Sequence, residues 1–314
     1  FGLFVSMAES VVQRIVVTGA NKGIGLALVD HLLARYPNTY VFLGSRNEER
    51  GKQALSTLPE EHLSRVEVLE LDVCSEDSVQ SAAEKVKKKF ENEESPLYAL
   101  VNNAGIGYQS AFTMDEVINT NVYGIHRTTE AFSPLLNPKV GRIVNVTSAA
   151  GPNFVAKCSE ERKNFFLNKT STPVSFPIIS DFIINTILPI SEPPEGREER
   201  FGERGLGDGS PYHVSKALAN LLNIEQAIRY PNLCINAATP GFILTDMTKG
   251  YLEKSGKTSE EMGMKSTEFG TVSCLHLLFG DVKGSGNYYG SDGLRSPYHK
   301  YRSPGSPPYT GEEE

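Results

Sequence analysis

The chain has 314 residues and a formal charge of −7, with 39% hydrophobic and 22% charged residues. This is the composition of a soluble globular protein: no run of 18 apolar residues offers a membrane span, and the negative balance argues against nucleic acid or an anionic membrane as the main partner. Cys74, Cys158, Cys234 and Cys274 are scattered, with no CxxC and no histidine at ligand spacing, so no metal is expected and free thiols in a reducing, cytoplasmic compartment are.

The opening FGLFVSMAES lacks the basic region of a signal peptide, and residues 1–13 read as an extension. From residue 14, β-branched runs alternate with amphipathic stretches: RIVVTGA, GLALVDHLLARY, TYVFLGS, NEERGKQALSTL, RVEVLELDV, SEDSVQSAAEKVKKKFE, LYALVNNAG, MDEVINTNVYGIHRTTEAF and GRIVNVTSAA. Strands that are apolar almost throughout, joined by helices, predict an α/β protein: a doubly wound parallel sheet of the Rossmann type in a single domain over 14–290. An insertion at 151–210 interrupts the alternation. Its apolar part, FPIISDFIINTILPI, reads as a short packed helix pair, and SEPPEGREERFGERGLGDG as a flexible loop bordering a cleft. The pattern resumes with a helix at Tyr212, the strand CINAATPG, a helix through STEFGTVSCLHLLF and a short strand at GNYYG. The tail, 291–314, is rich in Pro, Gly, Ser and Tyr and is expected along the surface or partly disordered.

TGANKGIG, residues 18–25, follows the first strand and opens the first helix. Gly19 permits the tight turn, Gly23 lets the backbone approach a pyrophosphate, Gly25 lets the helix pack on the sheet, and the helix N-terminus offers N–H groups to the anion. Ser45 and Arg46 stand where an NAD-specific fold carries an acid for the ribose hydroxyls. With Lys22 converging and Arg50 helping, Arg46 favours a 2′-phosphate, hence NADP(H). The competing reading is of solvated surface cations neutralised by Glu48 and Glu49.

Tyr212 and Lys216 stand four apart on one helix face, where a fixed ammonium lowers the phenol's pKa toward the range useful for proton exchange. Taken alone, the pair reads more readily as a packing feature. It is accompanied by LDV at 71–73, NNAG at 102–105, Asn121 in NTNVYG, Ser148 in VTSAA, YHVSK at 212–216 and PGFILTDM at 240–247. Through these motifs, in order across almost the whole chain, the sequence resembles the short-chain dehydrogenase/reductase superfamily. The 64 residues separating Ser148 from Tyr212 make it similar to the carbonyl reductase branch, with its plant menthol and alkaloid ketone reductase relatives.

The resemblance implies Asn121, Ser148, Tyr212 and Lys216 as the catalytic set: Tyr212 the general acid, Ser148 polarising the carbonyl, Lys216 assisting Tyr212 and holding the nicotinamide ribose, and Asn121 binding a relay water. It implies a cofactor site of Gly19, Asn21, Lys22, Gly23, Ile24 and Gly25 at the phosphates and Arg46 at the 2′-phosphate. Asp72 and Val73 would frame the adenine, Asn103, Ala104 and Gly105 would back the cofactor, and Pro240, Gly241, Ile243 and Thr245 would take the carboxamide. His213 is expected on another face of the helix. The function implied is reduction of a small-molecule ketone, aldehyde or quinone with NADPH. The alternatives are NADP-dependent alcohol oxidation and a catalytically silent NADP(H)-binding sensor. The insertion is expected to cover the apolar helix face at which relatives dimerise, giving a monomer.

Overall fold

A computed structural model describes residues 12–107 and 112–311. Of the expected N-terminal extension, residues 1–11 lie outside the described part, and Gln13 already begins the first strand. Strand β1, Gln13–Val17, carries Ile15, Val16 and Val17 with no exposed surface, and both neighbours pair with it in parallel: β2, Thr39–Ser45, and β4, Ala99–Asn102. With β3 (Val66–Glu70), β5 (Arg142–Val146), β6 (Cys234–Ala238), β7 (Tyr288–Tyr289) and β8 (Arg295–Ser296), the sheet runs β3-β2-β1-β4-β5-β6-β7-β8. Only β8 pairs antiparallel, with β7. The order reverses between β1 and β4, and such a switch point opens a crevice at the strands' carboxyl ends.

Both sheet faces are covered, which explains why the strands are apolar throughout rather than alternating. On one face α1 (Gly23–Arg35) packs through Leu28, Val29, Leu32 and Leu33 against Ile15, Val17, Val41 and Val101. The short helix α2 (Glu48–Leu55) follows β2. On the other face α3 (Glu76–Lys89) turns Val79, Ala82, Ala83 and Val86 inward. Its N-cap is Ser75; acids fill its first turn and lysines its last, matching the helix dipole.

The helix expected through MDEVINTNVYGIHRTTEAF forms as α4 (Met114–Ile118) and α5 (Gly124–Phe132), joined by a π-helical turn at Asn119–Tyr123. The segment after β5 contributes α6 (Ala150–Ala156), α7 (Glu160–Phe166), α8 (Phe176–Phe182) and α9 (Arg197–Glu203). Then come α10 (Pro211–Arg229), α11 (Asp246–Ser255) and α12 (Val272–Phe279), the last packing beside α1.

Two expectations about the inserted segment change. FPIISDFIINTILPI is one helical rod, not a pair: α8 runs through a π-helical turn at Ile183–Ile187 into a 3₁₀ turn at Leu188–Ile190. Ile179, Phe182, Ile183 and Ile187 fall on one stripe and bury against α4, α5 and α10, alongside Phe154 and Phe166. The supposed loop holds α9, because Phe201 is completely buried and anchors it. Gly196 enters this helix with φ 67°, and Arg200 donates to the carbonyls of Ile190 (3.0 Å), Glu195 (2.8 Å) and Pro193. Charge and glycine content hid the helix; one aromatic and one arginine that satisfies three carbonyls order it.

Candidate active site

Asn103 clamps the glycine turn to β4. Its Nδ2 donates to the carbonyls of Thr18 (2.9 Å) and Gly19 (3.1 Å), while the Asn103 and Ala104 N–H groups both donate to Thr18 Oγ1. Gly25 is needed for that closeness: a Cβ there would stand 2.5 Å from Asn103 Nδ2 and 2.7 Å from Gly19 O. Gly23 opens α1 at φ 57° and faces Thr245, whose Cγ2 would lie 3.7 Å from an added Cβ, and Lys22 at the N-cap makes no side-chain cap. A bare helix N-terminus under a glycine cradle, roofed by Thr245, fits a dinucleotide's pyrophosphate. Asn21 and Ile24 lie in the same turn and first helical residues.

At the adenosine end, Arg46 is exposed at the end of β2 and forms no ion pair among the described residues. Glu48 and Glu49, candidates to neutralise it, instead pair with Lys52 at 3.3 and 3.0 Å. Lys22 is held elsewhere: its Nζ lies 2.7 Å from Asp246 at the start of α11, bridging the glycine turn to the opposite wall. Asp72 Oδ1 accepts from the Cys74 N–H at 2.9 Å, and Val73 is buried beside Gly124.

The four residues named for catalysis come together from three places: the end of β5, α10 and the π-helical turn. Ser148 follows β5 and stands beside Tyr212, near the N-terminus of α10. Lys216, one turn on, is buried, donates to Val146 O at 3.1 Å and sits 5.6 Å from the centre of the Tyr212 ring. Asn121 occupies the π-helical turn. Its Oδ1 accepts from Ile106 N (2.9 Å), and its Nδ2 donates to Ile106 O (2.8 Å) and Ser215 Oγ (3.0 Å). Gly105 lies between Asn121 and Lys216: an added Cβ would be 3.1 Å from Asn121 Oδ1 and 3.6 Å from Lys216 Nζ.

The expected lowering of the phenol's pKa is not what the geometry produces. Burial pushes the Tyr212 hydroxyl up, and the neighbouring Ser148 hydroxyl only partly opposes it. Lys216, its own ammonium brought down to about 8 by burial, points to a backbone carbonyl. Desolvation of a fully covered side chain outweighs a cation not bonded to it.

Ser148 and Tyr212 open into a cavity of about 760 Å³, walled by Ile24, Pro240, Gly241, Ile243 and Thr245 on the cofactor side. The inserted segment reaches the cavity through Pro152 and Asn153; none of residues 192–209 lines it, and that stretch approaches it through Asp208, the partner of His213. The tail does line it: Ser291, Asp292, Ser296, Tyr301, Arg302 and Pro304 form one wall. β8 ties the tail to the sheet, and Tyr298 locks it by donating to Gly286 O (3.1 Å) and accepting from Asn223 Nδ2 (2.8 Å). Pro, Gly and Tyr content read as disorder conceals a strand and an aromatic lock.

His213 was also missed. It faces the cavity, not a remote side of the helix, with Nδ1 2.9 Å from Asp208, which also accepts from Lys157 at 3.0 Å. Burial works to raise the Asp208 carboxyl, but the hydrogen bonds from His213 and Lys157 prevail and hold it below the usual range. The adjacency of His213 to Tyr212 is the signal the sequence carries, although a helix turns about 100° per residue and so predicts a different face.

A doubly wound sheet, a glycine cradle at its switch point and a Ser-Tyr-Lys cluster beside it define the class: the chain belongs to the short-chain dehydrogenase/reductase family, whose model, short chain dehydrogenase, matches residues 13–159. The (+)-neomenthol dehydrogenase of Arabidopsis thaliana is 33% identical over 290 residues, covering 83% of this chain and 91% of that protein. Carbonyl reductase 1 (NADPH) of Bos taurus is 30% identical over 275 residues, covering 85% and 92%. Among solved structures, menthone neomenthol reductase from Mentha piperita is 25% identical and covers 90% of this chain and 100% of its own, with a TM-score of 0.69.

Proposed function

We propose that the protein is an NADPH-dependent reductase of a ketone, aldehyde or quinone, with Tyr212 as general acid. The observation that carries this reading is the meeting of Ser148 and Tyr212 at the base of the cavity, beside the glycine cradle. NADP(H) is the cofactor, as in the relative named carbonyl reductase (NADPH), and the unpaired Arg46 offers its 2′-phosphate a charge-assisted hydrogen bond. When bound, NADPH supplies the hydride for the carbonyl carbon.

The chain's own residues do the rest. Ser148 holds the carbonyl oxygen next to the phenol. Tyr212 keeps its proton through the neutral range, because burial raises its pKa, and releases it to the oxygen as negative charge develops there. Lys216 holds the ribose and Asn121 positions a water through which Tyr212 is reprotonated; Asp72, Val73, Asn103, Ala104, Gly105 and the 240–245 segment frame the two ends of the cofactor. Tyr212→Phe tests the assignment: NADPH oxidation with a panel of carbonyl compounds should fall by about 10²–10⁴-fold. Activity within a few-fold of wild type would show another acid at work.

The protein is read further as a cytoplasmic monomer, with a catalytic domain at 14–290 and the tail packed on it. The four cysteines are free thiols, which suits a reducing compartment, and the inserted segment already covers the apolar face of α10 and α5.

A further inference from the structure

The late cavity wall holds two buried donors that lack acceptors. Tyr288 is 2% exposed and lines the cavity; its hydroxyl completes no hydrogen bond among the described residues, although the Thr239 side chain stands close by. The Arg302 side chain is 7% exposed. Its Nη1 donates to the carbonyls of Ser306 (2.6 Å) and Ser303 (3.4 Å) and its Nη2 to Asp292, while Nε has no partner among the described residues. Both residues line the same cavity as Ser148 and Tyr212. Tyr288 is fixed by stacking on Tyr298 at 5.5 Å, and Arg302 by its three other contacts, so neither is free to turn toward an acceptor elsewhere.

A buried donor left unpaired keeps its full desolvation penalty, and a ligand that brings an acceptor removes it. Asp292 neutralises the guanidinium, so the wall carries hydrogen-bonding capacity without net positive charge. We propose that Tyr288 and Arg302 are specificity-determining residues that donate hydrogen bonds to a second, uncharged oxygen of the substrate. That oxygen is a carbonyl or hydroxyl on the same skeleton as the carbonyl being reduced. This inference rests on the reductase reading above and adds the substrate feature that the tail selects.

The test compares 1-phenyl-1,2-propanedione with propiophenone, which share a skeleton and differ in one carbonyl, and adds benzoylformate as the anionic counterpart. Intrinsic reactivity cancels when the ratio of kcat/KM values, diketone over monoketone, is compared between wild type and variant. Tyr288→Phe keeps the ring and its stacking and should lower that ratio about tenfold. Arg302→Lys retains a cation for Asp292, withdraws Nε and should lower it in the same direction; this keeps the test open if either variant misfolds. An unchanged ratio in the folded variants, judged by NADPH-binding fluorescence, would overturn the inference while leaving the reductase reading intact. A loss confined to benzoylformate would overturn the uncharged acceptor. No turnover of any of the three by wild type, with NADPH bound, would overturn both readings.

Discussion

The glycine cradle, which reaches the cavity through Ile24, and the tail wall, which lines it, are held in different ways. The cradle is a backbone construction: Thr18, Gly19 and Gly25 close on Asn103 and Ala104 through main-chain groups and two short side chains. The tail wall is a side-chain construction, in which Tyr288, Asp292, Tyr298 and Arg302 of the last strands and tail are locked together and tied to Asn223 of α10. Backbone geometry admits few residue types at a given spot, so the cradle has a sequence signature. Side-chain geometry admits many, so the wall has none.

The comparison extends to the inserted segment, whose order rests on a few buried side chains. Phe201→Ala empties a fully buried ring position under α9 and should cost about 3–5 kcal/mol in urea unfolding. A loss near 0.5 kcal/mol would mean that 192–209 is the loop its composition indicates. On the cradle side the expected effect is smaller and specific to the cofactor. Arg46→Asp should weaken NADPH binding about 30-fold more than NADH binding, since a phosphate contact becomes a repulsion. Equal losses for both would remove Arg46 from the 2′-phosphate site. The smallest effect is an expected absence of association. Because the inserted rod buries its apolar stripe on α10 and α5, light scattering should give a mass near 34.4 kDa across the micromolar range. A stable dimer would show that a partner surface remains outside that contact.

Within the catalytic cluster, identity and state separate. Asn121, Ser148, Tyr212 and Lys216 were all identifiable from their motifs, and the fold brings them to one place. The protonation state of Tyr212 was not, because it depends on how deeply the phenol is covered and where Lys216 points. His213 makes the same point: its helix position is fixed by sequence, but its partner Asp208 lies on a turn whose path only the packed inserted segment decides.

What the sequence alone determined is the part governed by local rules: the parallel sheet, from runs of buried β-branched residues; the dinucleotide cradle, from glycines at fixed offsets; and the Tyr-Lys pair, from helical spacing. What only the tertiary structure decided is the part governed by long-range burial. Phe201 orders a stretch that reads as loop, and Tyr298 pins a tail whose composition reads as a surface or partly disordered segment. The same burial raises the Tyr212 pKa that an isolated Tyr-Lys helix would lower. The physical reason is common to all three: the free energy of removing a side chain from water depends on what surrounds it, and those surroundings come from residues far apart in the chain.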